Sequence, residues 1–138
     1  STEEDTKTLE EDTKALTDIF KKALGKEQLT VKVEKLKNAD TSSMITLSEE
    51  SRRMQDMMKM YAMPGMDMSM FGGEGETLVL NANNELVQYV LNHAEGENTE
   101  MICQQLYDLA LLAHKPLSAD ALTKFVERSN KIMKMLTK

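Results

Sequence analysis

Cysteine, proline and aromatic residues are scarce in this 138-residue chain, which has 1 Cys, 2 Pro, 3 Tyr, 3 Phe and no Trp. A lone cysteine, Cys103, cannot close an internal disulfide, and no Asn-x-Ser/Thr sequon occurs. Both absences fit a reducing cytoplasm better than a secretory route. No apolar run approaches the roughly 20 residues that span a bilayer, so no membrane partner is expected. Basic charge is also short: 17 Lys and Arg against 23 Asp and Glu leave a net charge of -6. Nucleic acid would call for a basic stripe, so it is not an expected partner. The opening "STEEDTKTLEEDTK" is the reverse of a basic signal-peptide start. Without an initiator Met, the sequence reads as a piece of a longer protein, of a size that suits one domain able to bury its own core.

What is present is mainly helical period. Leu9, Leu16, Ile19, Phe20, Ala23 and Leu24 recur at helical spacing, Lys21 and Lys22 sit where the dipole favours cations, and Gly25 stands at C′. These predict a first helix over about residues 7–24. "QLTVKVEKL" alternates apolar and polar residues with a period of two, as a strand with one buried face requires. A turn containing Asn38, Asp40 and Ser42 leads to a second strand, "MITL", and so short a connection predicts an antiparallel pair. Ser48 caps a second helix from about Glu49 to Ala62, which Pro64 and Gly65 stop. "MPGMDMSMFGGEG", residues 63–75, keeps neither period and reads as a mobile loop. "ETLVLN" is a third strand; Asn83 or Asn84 caps the short helix "ELVQYVLNHA", and Gly96 ends it. Two helices follow, about 99–114 and 119–136, broken by Pro116, the second capped by Ser118. The fold class is α+β: a small mixed three-stranded sheet with packed helices, then a helical C-terminal region.

That helical end carries more apolar surface than mutual packing plus a small sheet would hide. Either both helices finish a monomeric core, or two copies close an intersubunit four-helix bundle, and periodicity alone does not separate these. In the second case the interface residues are Leu106, Leu109, Ala113, Leu122, Phe125, Val126, Ile132 and Leu136.

No constellation reads as an active site. His93 and His114 fall near helix ends without Cys, Asp or Glu at ligand spacing, and Cys103 sits among Ile102 and Leu106 as a small hydrophobe. The pairs Glu3/Glu4 and Glu10/Glu11 belong to a solvated face, and Gly72, Gly73 and Gly75 lack the Lys-Ser/Thr of a phosphate loop. No catalytic, metal or cofactor-binding residue is expected in the chain.

The methionines are the unusual feature, 12 in all. Met54, Met57, Met58, Met60 and Tyr61 recur at helical spacing over more than one face, and with Met63 they read as a repackable surface for non-native polypeptide. Packing of this helix into its own sheet is the plainer alternative. A second alternative is Cu(I) ligation by the thioethers of Met63, Met66, Met68 and Met70.

Three blocks carry a resemblance: "SSMITLSEESRRMQDMMKMYAM", "TLVLNANNELVQYVL" and "ICQQLYDLALLAHKPLSADALTKFVERSNKIMKML". Together, from about Leu9 to Leu136 and in this order, they resemble the C-terminal domain of the ninety-kilodalton heat-shock chaperone family in its bacterial form. The resemblance implies a constitutive homodimerisation domain, with the last two helices in the intersubunit bundle and the middle helix turned toward client proteins. It implies that ATP and Mg belong to a separate N-terminal domain of the parent chaperone. The ending "KMLTK" differs from the acidic Met-Glu-Glu-Val-Asp tail of eukaryotic cytosolic members, so cochaperones that read that tail are not expected partners.

Overall fold

The computed structural model describes residues 3–61 and 75–138, without the side chains of Ser51, Gln55, Met58 and Lys59. Among the described residues eight elements follow one another: α1 (Glu3–Leu24), β1 (Thr30–Glu34), β2 (Ser43–Leu47), α2 (Glu49–Tyr61), β3 (Glu76–Asn81), α3 (Glu85–Asn92), α4 (Thr99–Leu112) and α5 (Ala119–Met135). This is the α+β class with a mixed three-stranded sheet. No helix among the described residues is long and apolar enough to cross a membrane.

β3 is the centre of the sheet, in the order β1-β3-β2, and the pattern of its side chains explains why. Leu78, Val79 and Leu80 are all buried although successive residues of a strand face opposite sides, so both faces of this strand are shielded, as suits a strand with a neighbour on either side. β1 lies parallel to it, with Val31 opposite Leu78 and Val33 opposite Leu80. β2 lies antiparallel, with Met44 opposite Val79. The expected β1–β2 pair is therefore corrected. The two strands do run in opposite directions, but β3 stands between them.

Asn81, fully buried at the end of β3, holds the connection that makes this possible. Its Nδ2 donates to the carbonyls of Asn38 and Thr41, at 3.0 and 2.7 Å, and its Oδ1 accepts from the amides of Leu36 and Asn83, both at 3.0 Å. Residues 35–42 thus arch over the end of β3, across two strand spacings of about 4.8 Å each.

One face of the sheet carries the core. Leu16 and Phe20 of α1, Val87 and Val90 of α3, and Cys103, Leu106 and Ala110 of α4 close over Val31, Val33, Leu78 and Leu80. α1 starts at Glu3, a turn earlier than its apolar period, because Glu3, Glu4 and Asp5 complement the positive end of the helix dipole. Gly25 takes φ of 64° beyond its last turn, and the Lys26 amide reaches back to the Lys21 carbonyl at 3.1 Å. Asn84 is the cap of α3, accepting from the amides of Leu86 and Val87. α3 stops at Asn92, short of Gly96. That glycine serves a close approach instead: a Cβ there would lie 2.7 Å from Thr99 Oγ1, which donates to the His93 carbonyl.

Candidate functional site

α4 and α5 form a hairpin whose two sides differ. On one side, Arg128 Nη1 donates to Asp108 Oδ2 at 2.9 Å and to Gln105 Oε1 at 3.1 Å. Gln105 Nε2 in turn donates to Ser129 Oγ at 3.1 Å, so a polar chain crosses the hairpin from Asp108 to Ser129. Ser118 starts α5 by accepting from the Ala121 amide, and Lys115 in the connector reaches Glu76 at the start of β3, 2.9 Å away. The Glu76 side chain is nearly buried, so this contact fixes the base of the hairpin on the sheet.

The other side is apolar and open. α5 has no buried residue along its 17 positions, although it is strongly amphipathic in sequence. Phe125 and Ile132 are half-buried, on the stripe that also holds Arg128 at its junction with α4. A second stripe, one residue further and so about 100° around the helix, stands in solvent: Leu122 46%, Val126 49%, Met133 55% and Leu136 81% exposed. On α4, Leu109, Leu112 and Ala113 are exposed as well. The Gln105–Ser129 hydrogen bond joins the two open stripes, because Gln105 precedes Leu109 by one turn and Ser129 follows Val126 by nearly one.

Seven of the eight interface residues read from the sequence thus keep surface to give. Leu106 does not. It is 2% exposed and belongs to the core under the sheet, with Ser43 Oγ donating to its carbonyl at 2.9 Å. The sequence places Leu112 among the apolar residues of α4, and Ser129 and Met133 on the apolar face of α5, but the interface read from it includes none of the three and not the Gln105–Ser129 hydrogen bond. The readable signal was the spacing 122, 126, 129, 133, 136, a second stripe of alternating four and three beside the first.

α2 is a second exposed apolar element. Every side chain described in it is exposed, among them Met54, Met57, Met60 at 80% and Tyr61. Met63, Met66, Met68 and Met70 lie outside the described residues, as do the Met58 side chain, Pro64, Gly65, Gly72, Gly73 and the stretch 63–74 read as a loop.

Cys103, Tyr107 and the two histidines each have a defined environment. Cys103 is buried; desolvation first, then the Glu100 charge, pushes its thiol up to about 12, far from a reactive thiolate. Burial, then Glu76 and Asp108, likewise push Tyr107 up to about 12. His93 stacks on Tyr89 with ring centroids 4.0 Å apart, and His114 Nε2 lies 3.9 Å from Glu76. Among the described residues, no group of three or more His, Cys, Asp or Glu converges as metal ligands.

Neither a protein-family model nor a curated protein matches the chain.

Proposed function

We propose that this chain is a non-enzymatic homodimerisation and client-contact module, the C-terminal domain of a bacterial ninety-kilodalton heat-shock chaperone working in the cytoplasm. One observation carries the reading. A 17-residue amphipathic helix with no buried residue leaves its apolar stripe in water beside exposed leucines of its hairpin partner. Burial contributes about 25 cal/mol per Å² of apolar area, so such a face has a strong tendency to find a cover. A second copy of the same hairpin supplies four helices around one apolar centre, the smallest closed arrangement with two-fold symmetry. The stripes on α5 favour this geometry: one meets α4 and the other lies about a quarter-turn away, as a helix with two neighbours in a square bundle needs.

α2 is the client-contact element in this reading. Its methionines are unbranched and polarizable, and an exposed surface of this kind repacks against many apolar sequences. ATP and Mg would act in the parent chaperone's N-terminal domain, with this module keeping two such chains together.

Molecular mass tests the proposal. Light scattering at tens of micromolar should give twice the 15.6 kDa of the chain. A monomeric mass would sink it.

A further inference from the structure

The open stripe of α5 is not uniformly apolar. Leu122, Val126, Ser129, Met133 and Leu136 follow the four-three spacing of a coiled-coil seam, and Ser129 stands at its middle, seven residues from either leucine. A hydroxyl in the middle of an apolar seam is costly against a hydrophobic partner, because its hydrogen-bonding capacity is stranded on burial. Here half of that capacity is already provided for within the chain. Ser129 Oγ accepts from Gln105 Nε2, whose own amide oxygen is held by Arg128, itself paired with Asp108. What is left is the hydroxyl proton, pointing for its use to a partner with an oxygen at the same height.

The flank of the seam is equally specific. Thr123, Asn130 and Thr137, its neighbours on the side away from α4, carry no charge, in a helix where six of the residues from Asp120 to Lys134 do. A foreign partner of opposite charge would find nothing to pair with, whereas a second copy meets no repulsion. The ends differ in sign. Asp120 lies in the first turn of α5, and Lys131, Lys134 and Lys138 gather at its end. Parallel copies would bring the lysine ends together and align the helix dipoles; antiparallel copies set each lysine end beside an acidic N-terminus.

We propose that Ser129 lies on the two-fold axis of the homodimer, where antiparallel copies of α5 meet with Ser129 against its counterpart and Leu122 against Leu136 of the other copy. This assignment rests on the dimer proposed above and adds its register. The serine pair acts as the specificity device: one hydroxyl donates to the other while each accepts from its own Gln105, which leaves one hydroxyl proton over in the pair where a shifted register leaves two. Any shift along the helix leaves both hydroxyls facing Val126 or Met133. The cost of such a shift is what fixes a single alignment, as a lone polar residue does in coiled coils.

Cysteine pairing tests the register in the full chain. Cys103 can stay in place, since it is buried and its thiol resists ionisation. A disulfide needs Cα atoms about 4.4 to 6.8 Å apart, so only facing positions link. After mild oxidation with diamide, Ser129→Cys should give a linked dimer in high yield. Leu122→Cys or Leu136→Cys alone should give several-fold less, and an equimolar mixture of those two, exchanged before oxidation, should link. Efficient linking of Leu122→Cys alone would establish parallel pairing and overturn the inference. So would a wild-type dimer whose Ser129→Cys variant and Leu122/Leu136 mixture both fail to link, since the seam would then lie elsewhere. A monomeric wild-type mass is a separate failure, of the dimer itself.

Discussion

Arg128 Nη1 and Asp108 Oδ2 stand 2.9 Å apart where α5 meets α4, each side chain only 12% exposed. The pair shares Gln105 with the open side of the hairpin, so it sets how α5 lies on α4 and hence how the apolar face is presented. Removing one member strands the other. Arg128→Ala should lower the unfolding free energy by about 3 kcal/mol, the low end for breaking a largely buried pair, and weaken any dimer with it. The double change Asp108→Leu with Arg128→Met should recover most of the loss, because neither charge then needs a partner. Urea unfolding of the wild type and the two variants measures this, and an unaffected Arg128→Ala would remove the pair from any structural role.

Leu106 and Val126 should part company under substitution. Leu106→Ala empties part of the core and should cost roughly 2 to 5 kcal/mol, lowering the unfolding midpoint at any protein concentration. Val126→Asp alters a side chain that is 49% exposed within one chain, so the monomer should lose little, near the ±0.5 kcal/mol of surface changes. Its effect should fall on mass instead, converting dimer to folded monomer. Light scattering and circular dichroism on both variants give the comparison; a Val126→Asp protein that remains dimeric contradicts the assigned interface.

This contrast also shows what the sequence made legible. The helices, their caps at Asn84 and Ser118, and the strands were readable because each depends on neighbours along the chain. Strand order was not. Nothing local in "VKVEKL" or "MITL" says that a third strand, beginning 46 residues after β1 begins, will pair with both, and the adjacency expected of β1 and β2 goes to β3 instead. Leu106, an interface residue by its sequence spacing, is a core residue in the structure. Its heptad spacing with Leu109 and Ala113 is real, but at about 100° per residue Leu109 lies about 60° around the helix from Leu106, which leaves Leu106 on the sheet and Leu109 in solvent. The exposed methionines of α2 were read from their number, since five apolar residues in eight exceed one face of a helix.

Asn81 should be among the least replaceable polar residues. Its two donors and one acceptor oxygen satisfy backbone groups of Leu36, Asn38, Thr41 and Asn83 from a side chain that is itself fully buried. Asn81→Asp keeps the shape but turns both donors into acceptors facing the Asn38 and Thr41 carbonyls. A loss of about 2 to 4 kcal/mol is expected, and Asn81→Leu should be no better, as all four groups lose their partner. Thermal unfolding distinguishes these from Asn83→Asp, which gives up a single exposed hydrogen bond to the Leu36 carbonyl and should cost no more than about 1 kcal/mol.

Alkaline pH should unfold this domain from within. Cys103 and Tyr107 both hold their protons up to about 12, mainly through burial, while in the unfolded chain they titrate near 9 and 10. The folded state therefore binds more protons than the unfolded state across the window from about 9 to 12, so stability is intact below it and falls as pH rises through it. Cys103→Ala and Tyr107→Phe should each flatten the decline. Chemical denaturation at pH 8, 9.5 and 10.5 reads the slope, and identical slopes in wild type and the double variant would assign alkaline sensitivity to other groups.

Met54, Met57 and Met60 supply the test of the client surface. All three are more than half exposed, so replacing them together with Ser should leave the denaturation midpoint nearly unchanged. Buried methionines would instead cost roughly 2 to 5 kcal/mol each on truncation, and three such losses would exceed much of the 5 to 15 kcal/mol that holds a domain of this size. With stability preserved, any functional deficit belongs to the surface itself. The triple variant should suppress aggregation of a thermally unfolding client less well than wild type when compared in the parent chaperone. Preserved stability with undiminished suppression would take the client-contact role away from α2, while leaving the dimer built on α4 and α5 untouched, because the two surfaces share no residue.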